Sequence, residues 1–170
     1  VFREASEDRQ RLQNIFRKLM RFTAFVSFPA MLGLAIVSQE LIVISITEKW
    51  LPCVPVMQIL CVWGAFMPIS TLYSNLMNSI GRPNIYMWNT IALGIFQLLC
   101  VWGSYPYGLN IMLIVYTAAN IFWLLIWHYF AHKHIGISLF NTLKDIAPYL
   151  IISVAVMTFT YWVAGYVKNI

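Results

Sequence analysis

Charge is what this sequence lacks most: only 10% of its 170 residues are Asp, Glu, Lys or Arg, against about 25% in an ordinary soluble domain. So few charges cannot clothe the water-facing exterior that a soluble chain of this size needs, whereas lipid accepts an apolar one. Cysteine is scarce as well. Cys53 and Cys61 would stand about 12 Å apart along one helix, too far for the roughly 4.4–6.8 Å Cα separation of a bridge. Together with Cys100 they make an odd number, so we expect small core packers. No G-x-S-x-G nucleophile turn, no G-x-x-x-x-G-K-S/T phosphate loop and no C-x-x-C pair occurs, which leaves catalysis without a motif to rest on. No cofactor and no metal are expected. The N-terminus has charges but no apolar stretch ending at a small-residue cleavage site, as a secretory signal would. A chain opening on a charged segment is expected to be a piece of something longer.

The apolar residues form long runs. Phe22 to Gln39, Trp50 to Gly81, Pro83 to Trp127 and Ile146 to Val167 contain no ionisable side chain, and about 20 such residues suffice to cross a bilayer. The third run is cut by the turn cluster GSYPYGLN, Gly103 to Asn110. Five spans follow, near 22–38, 54–80, 84–102, 109–127 and 146–166. Each is expected to be helical, because in lipid only a helix satisfies its own backbone groups. The fold class is therefore an all-α, polytopic integral membrane protein, with residues 1–21 leading into a bundle over 22–170. Intramembrane carboxylates or cations mark the pathways of proton-coupled pumps and ion channels, and these runs supply no proton relay.

Lys and Arg set the orientation. Arg3, Arg9, Arg11, Arg17, Lys18, Arg21, Arg82, Lys133 and Lys144 fall on one face of this map, and Lys49 and Lys168 on the other. The positive-inside rule then places the N-terminus in the cytoplasm and the C-terminus outside. The stretch from Thr47 to Pro55 becomes the external turn, with Glu48 and Lys49 in water, Trp50 at headgroup level and Pro55 starting the next helix. The preceding ELIVISI, Glu40 to Ile46, is too short to cross and lies at the interface or extends the first span. Leu12, Ile15, Phe16, Leu19 and Met20 form one stripe of a basic amphipathic helix whose other face is Arg9, Arg11, Gln13, Arg17 and Lys18. Glu7 and Asp8 at its start suit the helix dipole. Such a helix either lies on anionic lipid or extends the first span. The unbroken passage from Arg21 to Phe22 favours the extension.

The spans do carry amides: Gln58, Asn75, Asn78, Asn89, Gln97 and Asn120. Asn89 and Gln97, eight apart, share a helical face. They serve interhelical hydrogen bonding or a polar wall that touches a sugar-like cargo. His128 and His132 have metal-site spacing, but with so few histidines and no nearby acidic ligands they read as interfacial residues with polar tips among the headgroups, as does His134. Pro29 and Pro68 lie well inside spans and should bend them, Pro68 against Gly64. Together with Gly33 they are hinge candidates.

The order of these features is similar to that of polysaccharide-export flippases of the multidrug/oligosaccharidyl-lipid/polysaccharide superfamily. The signature is Phe28, Pro29, Gly33 and Leu34; then Glu48, Lys49 and Trp50; then Pro52, Pro55, Gln58, Ile59 and Leu60; and the turn Gly81–Arg82. It covers residues 6 to 83, and Thr47 departs from the usual Gly. The resemblance implies most of the C-terminal lobe of a two-lobe, MATE-like transporter in the bacterial inner membrane. Its partners would be membrane lipid, a lipid-linked oligosaccharide and an N-terminal lobe of the same protein, with no nucleic acid. Such a protein flips undecaprenyl-diphosphate-linked oligosaccharide by alternating access. On that resemblance Arg21 and Arg82 stand at the cytoplasmic mouth, although the positive-inside rule explains both equally well. Arg21, Asn75, Asn78, Arg82, Asn89 and Gln97 are the substrate-pathway candidates. The alternative is a membrane-embedded enzyme of envelope glycan synthesis, such as an acyltransferase or a lipid-linked glycosyltransferase, with Glu40, Glu48 or Asp145 as its reactive carboxylate.

Overall fold

A computed structural model of the chain describes residues 2–45 and 47–167, and the side-chain surroundings of 8–45, 47–160 and Trp162. Six helices follow in order: α1 (Phe2–Ile36), α2 (Ser38–Ser45), α3 (Val54–Ser79), α4 (Pro83–Ser104), α5 (Leu109–Ile135) and α6 (Leu139–Val167). All but α2 are long and apolar enough to cross a membrane, and no strand occurs among the described residues. This is a polytopic all-helical membrane segment. Lys168, one of the two external cations of the sequence map, lies outside the described residues, as do Ile46 and the Glu7 side chain.

Local chemistry fixes the helix ends. Pro55 occupies the first turn of α3 and Pro83 opens α4, where a missing N–H breaks no helical bond. Between α3 and α4, Gly81 adopts φ +75°. Its N–H donates to the Asn78 carbonyl at 3.1 Å, and the Arg82 N–H donates to the Met77 carbonyl at 3.1 Å. This pair of bonds is a Schellman cap, and its left-handed residue favours glycine. Gly136 ends α5 in the same region of backbone space, with φ +80°. Glu48, Lys49 and Trp50 form a solvent-facing 3₁₀ turn ahead of α3.

The helices pack in the row α6–α1–α3–α5–α4. One narrow face of α1 is buried, through Phe16, Met20, Ala24 and Phe28. It meets Ala65, Ile69 and Tyr73 of α3, and Trp127 and Ala131 of α5 complete the same core. Small residues let α1 and α3 approach closely, and the Ser27 hydroxyl donates to the Ala65 carbonyl at 2.9 Å. The outer surface carries large apolar side chains, with Phe22 67%, Leu98 72% and Trp102 80% exposed. In water such a surface would aggregate, and in lipid it is solvated.

The structure departs from some expectations and matches others. The amphipathic stripe is narrower than its periodicity suggested, because Ile15 and Leu19 are about half exposed while Gln13 and Arg17 turn toward the protein. Their partners across the interface are a helix-end carbonyl and a carboxylate, which attract polar groups. The helices of the fourth and fifth spans run beyond the expected limits, α5 to Ile135 and α6 from Leu139. Pro148 consequently stands inside a helix rather than near its start. His128 is buried and hydrogen-bonded, contrary to a place among headgroups. The basic segment is continuous with the first span in a single 35-residue helix. Ser38–Ser45 prolongs that helix, since the N–H groups of Val37 and Leu41 still donate to Gly33 and Val37 carbonyls at 3.2 and 2.8 Å.

Candidate functional site

Polar side chains gather where the N-terminal part of α1 meets the end of α5 and the start of α6. Asp145 on α6 is buried and accepts from Arg17 Nε at 2.6 Å and Arg17 Nη2 at 3.1 Å. Arg21 Nε, one turn further along α1, lies 3.3 Å from Asp145 Oδ1, the oxygen that Arg17 Nη2 also meets. The Gln13 amide donates to the Ile135 carbonyl, one of the carbonyls that the end of α5 leaves without a helical partner. His132 Nδ1 lies 2.9 Å from the Ile137 carbonyl, closing the α5–α6 turn on itself. One layer inward, the Tyr73 hydroxyl pairs with His128 Nδ1 at 3.1 Å, with the Phe16 ring 5.3 Å from that of Tyr73. The two imidazoles of the H-x-x-x-H spacing thus serve different partners instead of converging.

A second polar site lies between α4 and α5. Trp123 Nε1 donates to Asn89 Oδ1 at 2.7 Å, and Gln97 Nε2 donates to Asn120 Oδ1 at 2.8 Å. The eight-residue spacing on α4 therefore meets a three-residue spacing on α5 along one seam. Beside Asn89 opens a cavity of about 530 Å³ that is lined by Asn84, Trp88, Trp123 and Phe130 among others. The Asn89 Nδ2 group is buried with no hydrogen-bond partner.

The structure brings Asn89 and Gln97 together with Asn120 and Trp123, but it scatters the other pathway candidates. Asn75, Asn78 and Arg82 are exposed around the α3–α4 turn, and Arg21 is tied to Asp145. Of the hinge candidates, Pro29 and Pro68 sit within unbroken helices. A Cβ on Gly64 would meet Met31 Sδ at 3.2 Å, and one on Gly33 would meet Met157 Cε at 3.4 Å. Both glycines thus mark crossings of α1, with α3 and with α6. Among the carboxylates considered for catalysis, Asp145 is held by two arginines, while Glu40 and Glu48 are exposed. Sequence reasoning missed the Asp145–Arg17 and Tyr73–His128 pairs; the only signal was a carboxylate abutting the last apolar run.

Residues 1–55 match the profile of a family described as polysaccharide biosynthesis protein. Over that stretch the chain is similar to this family. The match overlaps the stretch that carries the motif resemblance. A Klebsiella pneumoniae protein described as an uncharacterized membrane protein in the cps region is 35% identical over 91 residues, 53% of this chain and 19% of that protein. The lipopolysaccharide biosynthesis protein WzxC of Escherichia coli (strain K12) is 32% identical over 85 residues, 50% and 17%. The teichuronic acid biosynthesis protein TuaB of Bacillus subtilis (strain 168) is 26% identical over 94 residues, 55% and 20%. The aligned stretch thus spans a fifth or less of these relatives. No solved structure matches the chain.

Proposed function

We propose that this chain is part of a flippase that carries lipid-linked oligosaccharide across the inner membrane. The observation that carries the reading is the pairing of a polysaccharide-biosynthesis signature with five apolar, membrane-length helices. The relatives' names refer to different polymers, a lipopolysaccharide and a teichuronic acid. What such glycans share is a hydrophilic body that a bilayer excludes, so a common membrane segment suits a common transfer step better than polymer-specific bond chemistry. Transport by alternating access would move α1, α3, α5 and α6 as one block, because their packing and the Asp145 pairs tie them together. Asn89 and Gln97 line the cargo path in this reading, and Arg21 and Arg82 face the cytoplasm by the nine-to-two distribution of cations. Residues 1–21 then form a cytoplasmic extension of the first span, and Gly33 and Gly64, with Pro29 and Pro68, mark where that block flexes. No catalytic role is assigned to Glu40, Glu48 or Asp145.

Deleting the full-length gene in its host and following lipid-linked oligosaccharide with a membrane-impermeant oxidant tests this proposal. Intermediates should accumulate where the oxidant cannot reach them, and return to the outer leaflet on complementation. Unfinished or unlinked glycan would instead point to an enzyme. Lys49→Cys in the full protein should react with an impermeant thiol reagent from outside the cell; labelling only from inside would invert the map.

A further inference from the structure

Among the described residues the bundle buries two side chains that titrate near neutral pH or below, Asp145 and His128. An ionisable group inside a membrane bundle marks a pathway unless a fixed partner accounts for it. Asp145 has fixed partners in Arg17 and Arg21. His128 has no such charged partner. It stands seven residues, about 10 Å, inside the end of α5 and is 6% exposed. Its Nδ1 meets the Tyr73 hydroxyl at 3.1 Å, and its Nε2 is buried with no partner. A pair kept only to pin α3 to α5 would leave no ring nitrogen idle, because an unmade hydrogen bond in a dry interior is costly.

No carboxylate faces this ring among the described residues. α3 brings Tyr73, against which the Phe16 ring of α1 packs. α6 brings Leu139, Thr142, Leu143 and Ile146, none of them titratable, along one wall of a cleft of about 300 Å³. Its Asp145 is turned to Arg17 and Arg21 of α1, and Lys144 is exposed. α4 brings Tyr86 against the neighbouring Trp127. On α5 itself His132 follows by one turn, with Nδ1 2.9 Å from the Ile137 carbonyl.

A neutral imidazole carries one N–H, and a second proton turns both nitrogens into donors. Nδ1–H then donates to the Tyr73 oxygen, with the Tyr73 hydrogen turned toward Thr142, which stands beside it in the cleft wall. Nε2–H needs an acceptor that the closed bundle does not offer, and water supplies one once α6 parts from α5. We propose that Tyr73 and His128 form a proton-binding site, filled when the cleft between α5 and α6 opens to water and emptied when it closes. The proton comes from water, forms one N–H bond and adds one positive charge to the ring. Proton binding stands without the flippase reading; only the use of the proton to drive cargo transfer rests on it.

The test uses the full-length protein in lipid nanodiscs with isotope-labelled histidine, the His128 signals being assigned by their loss in His128→Gln. Magnetic resonance should show a neutral His128 ring at about pH 8 and an imidazolium in most molecules at about pH 5.5. Tyr73→Phe keeps the ring packing and should move the His128 midpoint while leaving those of His132 and His134 in place. A His128 ring neutral throughout, or a midpoint unmoved by Tyr73→Phe, would overturn the site. Opening is read with a water-soluble thiosulfonate and peptide mass spectrometry. Thr142→Cys, from a position 5% exposed in the cleft wall, is normalised to Lys49→Cys in the same chain. It should be modified about tenfold faster at the lower pH, and less than about twofold faster when His128→Gln is added. Equal gains in both backgrounds, or none in either, would overturn the link between proton and cleft. In the deletion host, His128→Gln should cut glycan export about tenfold, and unchanged export would overturn the proton's part in transfer. Failure of the unmodified gene to restore export, with His128 still titrating, would count against the flippase reading and leave the proton site standing.

Discussion

Removing Arg17 should destabilise the protein more than removing Asp145, although the two residues share one ion pair. The Asp145 side chain is 8% exposed, those of Arg17 and Arg21 are 31% and 49% exposed, and this asymmetry decides the sign. Truncating one partner of a buried pair leaves the other charge without compensation, at about 3–5 kcal/mol when burial is complete. Arg17→Ala leaves the buried carboxylate with only the 3.3 Å contact from Arg21, so it should approach that range, at about 3 kcal/mol. Asp145→Ala leaves two arginines whose heads already reach the surface and can turn to water or headgroups. Its cost reduces to the charge-assisted hydrogen bonds net of rehydration, about 1–2 kcal/mol. The double variant no longer holds the uncompensated carboxylate, so it should cost about as much as Asp145→Ala alone and less than Arg17→Ala, a coupling of about 3 kcal/mol. Unfolding of the full-length protein by SDS in mixed micelles, followed by thiol-dye access to the buried Cys61, measures all three. Additivity within about 0.5 kcal/mol, or a larger loss for Asp145→Ala than for Arg17→Ala, would refute the account.

Three smaller perturbations follow from the geometry and are read by the same unfolding assay. Gly81→Ala meets no atom within 4 Å but must hold φ at +75°, so it should cost about 1–2 kcal/mol through the backbone alone. Gly64→Ala presses only on the mobile end of Met31, at 3.2 and 3.3 Å, and should cost under about 1 kcal/mol, whereas Gly64→Leu forces α1 away from α3 at about 1–3 kcal/mol. Trp123→Phe keeps the ring in the core but strips the donor from Asn89 Oδ1, costing about 1 kcal/mol. In an Asn89→Leu background that loss should nearly vanish.

The spans were legible because lipid imposes a simple condition on the chain: long runs free of ionisable groups have nowhere else to go. Their ends were legible where the signal was conformational, as at Pro55 and Pro83, which open helices. Where the signal was charge, the helices run past the expected span ends. Hydropathy treats Asp145 and His128 as markers of water, so the sequence reading stopped one helix before His128 and began the next after Asp145. A bundle can hold such a group inside when a partner offsets its desolvation: Arg17 does so for Asp145, and Tyr73 hydrogen-bonds His128.

Those partners lie 128 and 55 residues away in the chain, and no local period encodes them. A helix's own pattern gives the residues that share a face, but the rotation of that face toward a neighbour is set by what the neighbour presents. On α4 the two coincide, since Asn89 and Gln97 share one side and α5 supplies Trp123 and Asn120 opposite. On α1 they diverge. The apolar count alone would centre the helix on Leu12, Phe16 and Leu19, but a carboxylate and a helix-end carbonyl across the interface draw Arg17 and Gln13 inward and leave Leu19 half exposed. Half-exposing one leucine costs about 1 kcal/mol, while an unpaired buried carboxylate costs several kcal/mol. Polar pairing therefore outranks hydrophobic burial in setting how this part of the helix turns.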